Sequence, residues 1–162
     1  MKADELMDVV AARLNANGLQ LNDQRVAGLS VGELEVNFEE DDEALWLYVY
    51  ADVLADATTL SKNRLLELLQ AHHLFNDVPN ATFGVSRTGA LTLFMRVRLL
   101  ESLSDEEWMA MFLSFLVSLR DWRELLTAEG EAPVAEAATV ATEVEPFTVP
   151  DERFFSLNGL NV

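Results

Sequence analysis

Cysteine is absent from this chain of 162 residues, which excludes disulfide frameworks, thiolate metal sites and cysteine nucleophiles together. That absence fits a reducing compartment such as the cytoplasm. Cations are scarce: 11 Lys and Arg stand against 28 Asp and Glu, a net charge of −17. A surface of that sign repels phosphate backbones and anionic headgroups, so neither nucleic acid nor an acidic membrane surface is expected as a partner. No apolar run approaches the ~18 residues of a membrane span. The opening MKADELMDVV lacks the apolar core of a secretory signal.

Motifs for chemistry are missing as well. Neither GxxxxGK followed by Ser or Thr, nor GxGxxG, nor GxSxG occurs. The two histidines, His72 and His73, are adjacent. On a helix they project about 100° apart and cannot chelate one ion as an i, i+4 pair does. The acids sit in surface runs, and Asp41-Asp42-Glu43 lacks the glycine and terminal Glu of an EF-hand loop. No catalytic residue, metal site or cofactor is assigned, and an enzyme is not expected.

What the chain has is apolar surface. Half of its residues are hydrophobic and nine are Phe, enough for the core of one domain. The high charge then has two readings. It keeps an ordinary protein soluble, or it disperses one that must expose apolar surface.

Taken in order, Lys2 to Asn17 reads as an amphipathic helix, with Leu6, Val9, Val10 and Leu14 at helical spacing and Gly18 as its stop. Arg25 to Val31 is a strand candidate. Leu34, Val36 and Phe38 alternate with Glu33, Glu35 and Asn37, the pattern of a half-buried strand. The acidic run Glu39 to Glu43 makes a turn into Ala44 to Leu54, and a three-strand antiparallel meander is the simplest topology. Asp56 to Ser61 supplies helix-start residues for a second helix, Lys62 to Leu74. Its leucines cover more than one stripe, which implies two burial partners. Ala81 to Ser86 and Ala90 to Leu100 form a hairpin about Arg87-Thr88-Gly89. Ser104 and Glu107 make a capping box. Behind it Trp108, Phe112, Phe115, Leu119, Trp122 and Leu126 form one stripe of a helix reaching about Thr127. Residues 128–162 read as a flexible acidic, Ala-rich tail ending in Phe154, Phe155, Leu157 and Leu160. That apolar end either folds back on its own domain or docks on another chain.

The stretch Ala44 to Leu54 is apolar on both faces. Leu45, Leu47, Val49 and Ala51 point one way, and Trp46, Tyr48 and Tyr50 the other. Same-face neighbours lie about 6.5–7 Å apart, so the three rings form an aromatic ladder. Either a helix packs on it or it is a recognition surface, since Trp and Tyr are enriched at binding hot spots.

Three passages carry a family resemblance: LWLYVYADVLADATTLSKNRLLELLQAHHLF, ATFGVSRTGALTLFMRVRLL and LSDEEWMAMFLSFLVSLRDWRELL. With their element order they resemble the class I type III secretion chaperones, the Tir chaperone family, over residues 3–127. The resemblance implies an α+β fold, helix–three strands–helix–two strands–helix, with an antiparallel twisted sheet, packed helices and a homodimer. It implies cytoplasmic binding of the N-terminal region of a secreted effector in a Gram-negative bacterium. The effector is held extended, soluble and secretion-competent for the secretion ATPase, without nucleotide hydrolysis by the chaperone. It places effector binding on the first helix and meander, through Leu6, Val10, Val36, Phe38, Trp46, Tyr48 and Tyr50. It places the dimer contact on the second helix and the strand after it, through Leu65, Leu66, Leu69, Leu74 and Phe83. The alternative is a non-secretory regulatory adaptor of the same fold that binds a folded partner.

Overall fold

A computed structural model describes residues 2–73, 78, 80–99 and 103–128. Helix α1 (Ala3–Leu14) leads into strands β1 (Val26–Val31), β2 (Leu34–Glu40) and β3 (Trp46–Leu54). A short 3₁₀ turn (Ala57–Thr59) precedes α2 (Lys62–His72), then come β4 (Thr82–Val85), β5 (Leu91–Arg98) and α3 (Asp105–Thr127). The order is the α+β order expected. The strands form one antiparallel sheet in the order β1-β2-β3-β5-β4, so the second hairpin joins the meander through β5 and leaves β1 and β4 at the edges.

Local chemistry sets the element ends. The α1 helix stops at Asn15, in the left-handed conformation with φ 53°. That is three residues before Gly18, because a short polar side chain tolerates this conformation as a helix cap. The acidic turn is ordered by one of its own carboxylates. Asp41 Oδ1 accepts from the backbone N–H groups of Leu45 (2.7 Å) and Trp46 (2.9 Å), so β3 begins at Trp46 rather than Ala44. Asp56 caps the 3₁₀ turn, and Ser61 caps α2 by accepting from the Arg64 N–H at 3.2 Å.

At α3 the capping box forms as expected. Ser104 Oγ accepts from the Glu107 N–H, and the Glu107 carboxylate accepts from the Ser104 N–H at 2.9 Å and hydroxyl at 2.8 Å. Those bonds, backbone first, hold the Glu107 carboxyl below the usual carboxylate range. A lowered folded-state pKa means the stabilisation is present above the unfolded value and fades as pH falls through the folded one. Glu107→Gln is therefore expected to melt below the parent at neutral pH, with the gap closing as the pH drops beneath the usual carboxylate range. A gap independent of pH in thermal melts would contradict this.

The core lies between one face of the sheet and the pair α1 and α3. Trp108, Phe112, Phe115 and Leu119 of α3 are fully buried, together with Leu6 and Val10 of α1 and Val36, Phe38, Leu47 and Val49 of the sheet. The Phe112 ring lies 5.6 Å from both Phe38 and Trp108. The Trp108 indole N–H donates to the Leu6 carbonyl at 2.9 Å, fixing α3 to α1 across 102 residues. Arg25 ties the same layers at the surface, its guanidinium meeting Asp4 of α1 and Glu40 of β2. Helix α2 stands apart. It buries Leu68 and Ala71 beside β4, and His72 hydrogen-bonds the Thr82 hydroxyl.

Candidate functional site

Strand alternation sends Leu47, Val49, Ala51 and Val53 into the core and Trp46, Tyr48, Tyr50 and Asp52 to the opposite face. The three aromatic rings remain half-buried. Pairing decides what lies beside them. Tyr48 stands between Glu39 of β2 and Arg96 of β5, Tyr50 between Asn37 and Phe94, and Trp46 opposite Arg98. The Arg96 guanidinium sits 4.8 Å from the Trp46 ring centre and that of Arg98 5.9 Å, both within cation–π range.

Two grooves border these rings. One, of about 650 Å³, opens at the sheet edge where β4 stops, and reaches from Tyr48, Phe94 and Arg96 on this face round to Met95 and Met111 on the helix side, with His72 and Thr82 also on its walls. The other, of about 380 Å³, lies between Tyr48, Tyr50 and Phe94, with the carboxylates of Glu39 and Asp52 at its rim. The Tyr50 hydroxyl donates to Glu39 Oε2 at 3.3 Å. Burial first, then the charges of Glu39 and Asp52, hold the Tyr50 phenol above the ordinary tyrosine value. Gly84 faces the same side from β4. A Cβ there would come within 3.2 Å of the Phe94 ring and 3.6 Å of the Thr92 hydroxyl, so glycine leaves that ring free.

The structure separates the expected effector-binding residues into two groups. Trp46, Tyr48 and Tyr50 come together on the outward face. Leu6, Val10, Val36 and Phe38 do not join them, because the aromatic stripe of α3 covers all four. They support the sheet from beneath and present no surface. Of the expected dimer residues, Leu65, Leu66 and Leu69 stand 43%, 54% and 70% exposed along α2. Phe83 instead turns inward and packs edge-on against Trp122 of its own chain, ring centres 5.2 Å apart. Leu74 and the tail residues 129–162 lie outside the described residues. The neighbours that complete the face, Phe94, Arg96, Glu39 and Asp52, were not among the expected site residues. Alternation in β5 already set Phe94 and Arg96 off the core face, but only the β3–β5 register puts them beside the ladder.

Among the described residues no cluster of His, Asp and Glu is placed to hold a metal ion, and no helix is long and apolar enough to cross a membrane. What the outward face gathers is a row of rings, guanidiniums and carboxylates on a sheet.

Residues 5–123 match the Tir chaperone protein (CesT) family, and the chain belongs to that family. Among solved structures, it is similar to a chain of the ExsC–ExsE complex, with a TM-score of 0.62 at 21% identity, covering 78% of this chain and 97% of that one. It is also similar to a chain of the HopA1–SchA chaperone–effector complex, with a TM-score of 0.59 at 19% identity, covering 74% and 91%. A chain of the ExoU–SpcU heterodimer from the type III secretion system of Pseudomonas aeruginosa gives 0.56 at 17% identity, covering 78% and 95%. At these identities the likeness carries the fold. Curated protein sequences give no match.

Proposed function

We propose that this chain is a type III secretion chaperone, which binds the N-terminal region of a secreted effector in extended form and keeps it soluble and secretion-competent. The observation that carries this reading is the half-exposed ladder Trp46, Tyr48 and Tyr50 on a sheet whose other face already holds the whole aromatic core. An extended client uses sheet-edge hydrogen bonds for affinity and side-chain pockets for specificity. The β1 edge and the two grooves beside the ladder supply both. The chain works in the cytoplasm as a homodimer joined through Leu65, Leu66 and Leu69 of α2, and hands its client to the secretion ATPase. Neither nucleotide nor metal takes part.

Co-expression with a secreted effector from the same genome, followed by limited proteolysis, is expected to yield a complex that protects an extended stretch near the effector N-terminus. Capture of folded partners alone, or a strictly monomeric chain, would overturn the reading. Tyr48→Glu places a charge in the middle of the ladder and is expected to weaken the effector about tenfold to thirtyfold. The melting temperature should hardly move, because the ring is half-exposed. Unfolding of that variant would assign the ladder to the core instead.

A further inference from the structure

The aromatic ladder is electrically lopsided. At its Trp46 end the chain supplies its own cations, Arg96 and Arg98, over the ring. At its Tyr50 end Tyr48, Tyr50 and Phe94 line an open groove of about 380 Å³ that no cation lines, while Glu39 and Asp52 share that lining. Neither carboxylate has a basic partner among the described residues. Arg87, in the turn between Ser86 and Thr88, does not line the groove either. We infer that this groove receives an arginine side chain of the bound client, stacked on Tyr50 and Phe94 and paired with Glu39 and Asp52.

The groove is shaped for that group. A guanidinium is planar, stacks on aromatic faces and sheds water more readily than an ammonium, while its edge N–H groups reach carboxylates. The Thr92 and Thr88 hydroxyls, also on the lining, can accept the N–H groups the carboxylates do not reach. Gly84 keeps its side of the Phe94 ring open. The pairing of Arg96 with Trp46 shows the same contact made within the chain, two rungs along the same face. An extended client lying across the ladder would thus be read by charge as well as by apolar contact, with a basic residue at one end.

The inference rests on the chaperone reading for the identity of the partner, but its test needs no client. The ¹⁵N-labelled full chain is titrated with N-acetyl-arginine amide and with N-acetyl-citrulline amide, its neutral isostere. Arginine is expected to shift the amides of Tyr50, Asp52 and Thr92 and to bind about threefold to fivefold more tightly than citrulline. Glu39→Gln with Asp52→Asn should abolish that preference. Asp42→Asn with Glu43→Gln removes the same net charge from the neighbouring turn and should leave the preference intact. Equal binding of the two probes, or equal loss in both double variants, would overturn the inference. So would an absence of groove shifts combined with a change in oligomeric mass for Asp52→Asn, which would give the groove to a second copy. A chain that takes arginine here yet captures no effector would sink the chaperone reading and leave this one standing.

Discussion

Phe112→Ala is expected to remove about 3–5 kcal/mol from the free energy of unfolding, a large share of the ~5–15 kcal/mol that holds a domain together. The ring is fully buried where three elements meet. It lies 5.6 Å from Phe38 of β2 and the same from Trp108 of its own helix, inclined at 34° and 36°. Trp108 cannot swing in to fill the space, because its indole N–H is held by the Leu6 carbonyl. A site that cannot collapse keeps its cavity, and the cost falls towards the upper end of the range. The adjacent residue is the control. Leu113 points to solvent on the same turn, so Leu113→Ala should stay within about 0.5 kcal/mol. Urea denaturation of both variants measures the difference. Equal losses would mean that the stripe of α3 does not face the sheet.

Much of this was legible in the sequence, and most of what escaped depends on contacts between distant segments. Periodicity reports which residues share a face, so the α3 stripe, the capping box and the two faces of β3 could be read directly. It does not report what covers that face. Leu6, Val10, Val36 and Phe38 read as client surface because their apolarity fits either fate, and only packing shows that α3 covers them. Phe83 is half-buried: it alternates towards the helix side of β4, where Trp122 meets it. The outward face was half legible. Trp46, Tyr48 and Tyr50 stood out, but their cross-strand neighbours depend on β5 joining β3, a pairing between segments about 45 residues apart that no local pattern encodes. The early stop of α1 at Asn15 is smaller in kind: the apolar period ends at Leu14, and Asn15 takes the left-handed cap that Gly18 was expected to supply.

If the chain pairs through α2 as proposed, Leu69→Glu is expected to convert that dimer to monomer while leaving each chain folded. The residue is 70% exposed on α2, so on an isolated chain a carboxylate there costs little. In a two-fold symmetric dimer the same patch meets itself, and one substitution introduces two charges into one interface. An unpaired carboxylate excluded from water costs several kcal/mol, and every 1.4 kcal/mol is tenfold in affinity. The dissociation constant should therefore rise by about a hundredfold or more, read by sedimentation equilibrium, with the circular dichroism spectrum unchanged. Salt separates this cause from general repulsion. Two chains of charge −17 oppose their own association, so added salt should tighten the parent dimer by screening. Screening cannot restore an apolar contact, so the variant should stay monomeric at high salt. Recovery of the dimer there would assign the effect to net charge and leave the leucines of α2 without a role in assembly.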